Sequence, residues 1–255
     1  MRILYCGDTT LDTAAAYLAS LICHWDWDLT YVPSDQPFAS SLLERGDTAP
    51  VSVFIFSDYP AAQISVDLQH RTLQHVSNGA GLVMLGGWES FHGLGGDWDS
   101  TPIGDALPVE ISSSDDRVNC DRPVLVDATK ATHPVTASLP WAARPPVIGG
   151  FNRLVAKPES DVLLEAVTHS AERTPGGFEL HETRRDPLLI TGRYGEGRTL
   201  ALATDVAPHW VGPLVDWGDD RVNAAAPGIE GVEVGNLYAT FLRQMLEWAA
   251  GDQPR

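Results

Sequence analysis

Leu82-Val83-Met84-Leu85-Gly86-Gly87-Trp88-Glu89-Ser90-Phe91 decides how this chain is read. The apolar run reads as a buried strand, and the glycine pair turns the chain sharply at its end. Gly79 and Gly81 lead into the run, and His92-Gly93 leaves it. Open α/β sheets present residues in this way at the carboxyl edge of a strand, where ligands bind. A nucleophile elbow would carry Cys or Ser on such a turn. Here the position two after Gly86 is Trp88, and the spacing around Ser90 does not fit GxSxG.

The flanking segments extend the pattern. Arg2 to Cys6 is a short apolar strand, and Thr9 and Thr10 can cap a helix whose stripe is Leu11, Ala14, Ala15, Leu18, Leu21 and Ile22. Asp28 to Val32 reads as a second strand, followed by a short helix around Phe38 to Glu44. Val51 to Phe56 is a third strand, and a helix over about Ile64 to Ser77 returns the chain to Gly79. Strands alternating with helices predict a flavodoxin-like, doubly wound, mostly parallel α/β sheet with helices on both faces.

Residues 93–146 are rich in Gly, Pro, Asp and Ser and read as an irregular insertion over the sheet edge, within a single domain spanning 1–255. Thr101-Pro102 can start a short helix there, and Leu107 to Ile111 and Val124 to Val126 can form strands. Beyond it, Val162 to Val167 reads as a strand. Leu188 to Arg193 and Thr199 to Thr204 flank Tyr194-Gly195-Glu196-Gly197-Arg198 as a C-terminal β-hairpin. The last helix carries Val234, Leu237, Tyr238, Phe241, Leu242, Met245 and Trp248 on one stripe, and Gln253 to Arg255 should fray.

Composition bounds the function. The chain has 255 residues, a net charge of −17, 44% hydrophobic residues and 20% charged ones. Binding to nucleic acid needs a basic patch, so nucleic acid is not an expected partner. No segment approaches the ~18 apolar residues of a membrane span. Cys6, Cys23 and Cys120 are scattered, as reduced thiols in a cytoplasmic protein would be. Eight tryptophans are many for a monomer to bury. Trp88, Trp98, Trp141, Trp210 and Trp217 fall in loops, which points to a homo-oligomer.

Four strand ends should converge, bringing together Asp8, Asp58, the turn at Gly87, Trp88, Glu89 and Ser90, and Asp205. The amides at Gly86 to Glu89 could form an anion-binding nest. A second dense loop holds Asp205, His209, Trp210, Asp216, Trp217, Asp219 and Arg221. Trp beside carboxylates suits a small polar, sugar-like molecule. The candidates for catalysis are Glu89, His92, Asp205 and His209. Those for ligand binding are Asp8, Asp58, Gly87, Trp88, Ser90, Trp210, Asp219 and Arg221. No cofactor is expected. A metal held by Asp205, His209 and Asp219 lacks any tight ligand spacing, so no metal is expected either. The other reading of these loops is structural: turns, helix caps and surface ion pairs in a non-catalytic assembly module.

The chain also resembles a known family. Ser57-Asp58-Tyr59-Pro60, the run from Gly81 to Phe91, Thr132-His133-Pro134-Val135-Thr136 and Gly149-Gly150-Phe151-Asn152-Arg153 carry the resemblance. So do Tyr194-Gly195-Glu196-Gly197-Arg198, Asp205-Val206-Ala207-Pro208-His209-Trp210 and Trp217-Gly218-Asp219-Asp220-Arg221-Val222. Together they are similar to the class I glutamine amidotransferase-like superfamily, and within it to a subgroup of cytoplasmic proteins related to ThuA-like proteins. The active family places Cys on the elbow, with His and Glu on a later loop. The resemblance sets Trp88 at the Cys position and offers Asp205 and His209 on the later loop. Without the thiol no glutamyl thioester can form. The resemblance therefore implies shared ancestry without glutaminase activity, and a hydrolase or carbohydrate-modifying activity is the enzymatic alternative.

Overall fold

The computed structural model describes residues 1–44 and 49–251. The expected fraying of Gln253 to Arg255 lies outside them.

The first strands form where the apolar runs predict. β1 (Arg2–Gly7) leads to α1 (Ala15–His24) and β2 (Asp28–Pro33). β3 (Val53–Ser57), α2 (Val66–Ser77) and β4 (Gly81–Leu85) follow. Every residue of β3 and β4 is buried, as central strands covered on both faces require. Neither Thr9 nor Thr10 caps α1. That helix begins at Ala15, and the Asp8 carboxylate accepts from the Ala15 amide. The short helix expected near Phe38 is a single 3-10 turn over Ser40–Leu43.

The middle of the chain is more ordered than its composition implied. Residues 93–146 hold α3 (Pro102–Ala106), β5 (Val109–Glu110) and β6 (Arg117–Ala128), a strand of 12 residues in the main sheet. β7 (Val147–Asn152), β8 (Val155–Ala156), β9 (Asp161–Thr174), β10 (Gly177–Tyr194) and β11 (Gly197–Leu202) come next. The chain closes with α4 (Pro208–Val211), β12 (Arg221–Ala224), β13 (Val232–Gly235) and α5 (Asn236–Ala249).

Among the described residues the main sheet has nine strands in the order β2-β1-β3-β4-β11-β10-β9-β6-β7. The pairings from β2 to β11 are parallel and those from β11 to β7 are antiparallel. The result is a mixed α/β sheet. Its antiparallel half curls back on the parallel half. The Asn152 amide at the end of β7 donates to the Ala203 carbonyl at 2.8 Å, and Thr204 Oγ1 donates to the Gly150 carbonyl at 2.8 Å. The strand farthest from the parallel half in pairing order is thereby returned to the carboxyl end of β11.

Register shows which helices cover which face. Gly81 pairs with Val53, so both point to one side of the sheet. A Cβ on Gly81 would meet α5, 2.5 Å from the Ala249 carbonyl oxygen. Phe54, one residue on and so on the other side, lies against His75 of α2, with ring centres 6.0 Å apart and tilted by 57°. α5 and α2 therefore cover opposite faces. The β12–β13 ribbon lies against α1 and α5, and Ser20 Oγ accepts from the Ala226 amide beside it at 3.2 Å. No helix among the described residues is long and apolar enough to cross a membrane.

The close seat of α5 on Gly81 is testable. Gly81→Ala puts a methyl into the helix backbone, and overpacking of this kind costs about 1–3 kcal/mol. Urea denaturation should show that loss. Unchanged stability would mean that α5 does not press on β4 in this way.

Candidate functional site

The parallel half sets the site. β1, β3, β4 and β11 are neighbours and run in the same direction, so their carboxyl ends lie side by side. Asp8 follows β1, Asp58 follows β3, Gly86 follows β4 and Asp205 lies three residues past β11. Asp8, Asp58, Trp88, Glu89, Leu94 and His209 line one open cavity of about 480 Å³ there. The expected convergence of the Trp88 turn, Asp58 and the loop after β11 is a feature of the fold.

Asp58 organises the turn. Its backbone lies in the left-handed region at φ 51°, which Asp tolerates better than most residues. Its amide donates to Ser90 Oγ at 2.8 Å, and its Oδ1 accepts from the Glu89 amide at 2.7 Å. The Trp88 amide also points at the carboxylate. A Cβ on residue 87 would fall 2.2 Å from Asp58 Oδ2, so only glycine admits the carboxylate at this depth. Gly87 has a space-giving role, and Ser90, fully buried, positions Asp58 without facing the cavity.

The anion-binding nest expected at Gly86 to Glu89 is already filled by the protein itself. The Gly86 amide donates to the Leu202 and Thr204 carbonyls, and the Gly87 amide donates to Asn152 Oδ1 at 2.9 Å. The Trp88 and Glu89 amides go to Asp58. Asn152 Nδ2 in turn donates to the Gly87 carbonyl at 3.2 Å and to Asp116 Oδ1 at 2.7 Å. Asp116 accepts the amides of His92 and Gly93 at 3.2 and 3.0 Å. Asn152 and Asp116 thus clamp both sides of the turn. Sequence reasoning gave neither a role. A polar residue ending an apolar run, as Asn152 ends the Val147–Asn152 strand, is the signal that was available.

Burial controls the acids. It pushes Asp58 up to about 7 against the hydrogen bonds from Glu89 and Trp88, with Asp8 and Glu89 adding repulsion. It pushes Asp8 up to about 6, opposed by the Ala15 amide. Glu89 rises for the same reason. Asp205 is fully buried and is also pushed up, first through desolvation and then through the nearby Asp58. Among the described residues its Oδ2 has no hydrogen bond, although His209 Nε2 lies 3.0 Å away. His209 is half-exposed, and its partial burial lowers its pKa. The Tyr5 hydroxyl, buried among Asp8, Asp205 and Asp58, also has no hydrogen-bond partner among the described residues.

Trp88 stands at the rim, 48% exposed, with the Arg117 guanidinium 4.4 Å from its ring centre. Asp115 holds that guanidinium through two bonds of 2.7 and 2.9 Å.

Four other expected site residues fall elsewhere. His92 does not line the cavity. Its Nδ1 bonds Asp99 Oδ1 at 2.7 Å, which raises its pKa. Trp210 is buried against Gly150 and donates to Asn119 Oδ1 at 2.8 Å. Asp219 pairs with Arg144 at 2.6 Å, and Arg221 pairs with Asp216 at 2.7 Å and Glu233 at 3.4 Å. These are the structural roles that turns and surface charges ordinarily fill. Cys6 is buried, which pushes its thiol pKa up and leaves it unreactive.

The acids impose a pH dependence. In the folded protein Asp8 and Asp58 keep their protons to about pH 6 and about 7. Unfolded, aspartates release theirs at about pH 4. Between those limits the folded state binds more protons, so the stability these groups contribute is full at low pH and is lost as pH rises through 6 and 7. Asp58→Asn keeps an acceptor oxygen for the Glu89 amide and removes the titration. The fall in stability between pH about 4.5 and about 7.5, read by urea denaturation, should be smaller in the variant. An identical fall would contradict the assignment.

Comparison with known proteins places the chain. The family model described as "Putative glutamine amidotransferase" matches residues 54–222. No curated protein sequence matches. Among solved structures, the cytoplasmic protein STM3548 from Salmonella typhimurium superposes with a TM-score of 0.73 at 22% identity, over 98% of this chain and 99% of that one. The cytoplasmic protein STM1381 from Salmonella typhimurium LT2 gives 0.71 at 23% identity, over 98% and 99%. A "Putative thua-like protein" from Parabacteroides merdae gives 0.59 at 15% identity, over 100% and 92%. The family match covers the β3 and β4 turns, the clamp residues and the His209 loop, and the chain belongs to this glutamine amidotransferase-like family.

Proposed function

We propose that the protein binds a small, polyhydroxylated, sugar-like molecule in the cavity between Trp88 and His209, and that it does not hydrolyse glutamine. The observation that carries this reading is the cavity's lining. Asp8, Asp58 and Glu89 stand beside a half-exposed indole, whose ring also carries the Arg117 guanidinium, and no Lys or Arg is among the lining residues themselves. Sugar rings present C–H faces that pack on Trp and hydroxyl groups that carboxyl groups bind. At neutral pH, Asp58, at about 7, is shared between acid and carboxylate, so this one group can donate to or accept from a hydroxyl. The same acidity disfavours anions.

Glutaminase chemistry lacks its parts. Trp88 replaces the nucleophile, and none of the three cysteines lines the cavity. The turn amides that would stabilise a tetrahedral oxyanion donate to Asp58. The finer fold assignment, flavodoxin-like and doubly wound, fits the parallel strand order and the helices on both faces. A cytoplasmic location fits the three free cysteines.

A hydrolytic or carbohydrate-modifying role is the second reading. One contact favours it. Asp205, buried, lies 3.0 Å from His209 Nε2, and the burial that lowers the His209 pKa keeps it neutral and able to take a proton. Glu89, with its raised pKa, lines the same cavity and would be the acid.

Saturation-transfer NMR against a panel of mono- and disaccharides tests the main reading. At least one should bind, and Trp88→Ala and Asp8→Asn should each weaken it more than tenfold. Binding that ignores both changes, or no sugar binding at millimolar concentration, overturns the proposal. With glutamine as substrate, no ammonia release is expected. Release that stops on alkylation would show a working thiol and refute the second half of the reading.

A further inference from the structure

β9 and β10 run well past the sheet. β11 pairs with β10 only from Leu189 to Tyr194, and β6 pairs with β9 only from Leu164 to Val167. Residues 169–185 beyond those limits therefore form a two-stranded ribbon, joined by Pro175-Gly176, with an unpaired edge on each side among the described residues. On one face of this ribbon Phe178 and Leu180 are 72% and 65% exposed. Two residues apart on a strand, they share that face with Ala171, which pairs with Leu180.

The ribbon is braced. At its root Arg185 bonds Glu182 at 2.8 and 2.9 Å, Asp127 at 2.7 Å and Glu165 at 2.9 Å, which ties β10 to β9 and β6. Arg184 holds the buried Asp186 at 2.7 Å. Thr183 Oγ1 donates to the Thr168 carbonyl at 3.0 Å across the ladder. An arm held this firmly, with bare apolar side chains and two open edges, is a preorganised surface and, left alone, an aggregation hazard.

Charge decides what it meets. The whole chain carries −17, yet residues 169–185 hold three glutamates (Glu172, Glu179, Glu182) and three arginines (Arg173, Arg184, Arg185), a net charge of zero. Two copies of this acidic protein repel each other over most of their surfaces, and residues 169–185 themselves add no net charge to that repulsion. Apolar residues flanked by both signs of charge are self-complementary under a two-fold axis. We propose that the β9–β10 ribbon is a dimerisation arm, which packs its Phe178–Leu180 face against the same face of a second copy of this chain.

Sedimentation equilibrium of the full chain at tens of micromolar tests this. The wild type should show twice the chain mass of 27.6 kDa. Rising salt should leave the dimer intact or tighten it, because it screens the repulsion between the acidic bodies. Phe178→Glu with Leu180→Glu should give a monomer with an unchanged circular dichroism spectrum, since both side chains are exposed in the folded chain. If that pair unfolds, Phe178→Ser with Leu180→Ser decides instead, and should weaken the dimer at least tenfold. A wild type that remains monomeric, or a folded double variant that still dimerises as tightly, overturns the proposal.

Discussion

A buried carboxylate laid against a glycine backbone is the constraint on which the rest of the site depends. Asp58 reaches the turn after β4 only because Gly87 has no side chain, and it takes the Glu89 amide once there. That bond fixes the Glu89 and Trp88 backbones at the cavity. It also brings Asp58 within reach of Asp8 and Asp205, so the three titrate under each other's influence. Desolvation dominates each shift, and the mutual repulsion adds to it. Ser90 holds the Asp58 amide from below, and Asn152 holds Gly87 from the side. Removing any one of these partners would strand a buried polar group, which costs about 1–3 kcal/mol.

The two halves of the sheet serve the site differently. The parallel half aligns four strand ends by topology alone. The antiparallel half curls back so that Asn152, at the end of β7, reaches the turn after β4. Asp116, just before β6, completes the same clamp. The segment from 93 to 152 is therefore the buttress of the cavity wall rather than a covering flap. It also contains Phe91-adjacent turns with several left-handed residues, among them Asp97 at φ 50° and Ser100 at φ 58°, held by the buried Trp98, whose indole donates to the Tyr59 carbonyl at 2.9 Å.

Much of this was legible in the sequence, for a physical reason. Strands buried on both faces, such as Val53–Ser57 and Gly81–Leu85, must be continuously apolar, and such runs stand out. Their order also places Asp8, Asp58, Glu89 and His209 at one edge. What escaped notice were segments without an apolar signal. The outer parts of β9 and β10 are solvated on both faces, so no period-two pattern marks them. β6 alternates weakly because only Val124 and Val126 are buried in it. The tryptophan argument for assembly keeps only Trp88, which is 48% exposed. Trp98, Trp141, Trp210 and Trp217 are all within the core of one chain, and each indole N–H finds an acceptor. His92, Asp219 and Arg221 were drawn to the site by proximity in sequence, yet each has a nearer partner of opposite charge.

The occupied turn has a consequence for protein engineering. A Cys written at position 88, where the resemblance to the active family would put it, would keep the glycine before it and so the sharp bend. It would still leave the turn amides without a free donor. The two amides following Gly87 are committed to an internal acceptor, and that acceptor is an acid that repels the negative charge developing in the reaction. A working nucleophile here would need the carboxylate at position 58 withdrawn at the same time, and that withdrawal would release the Glu89 backbone.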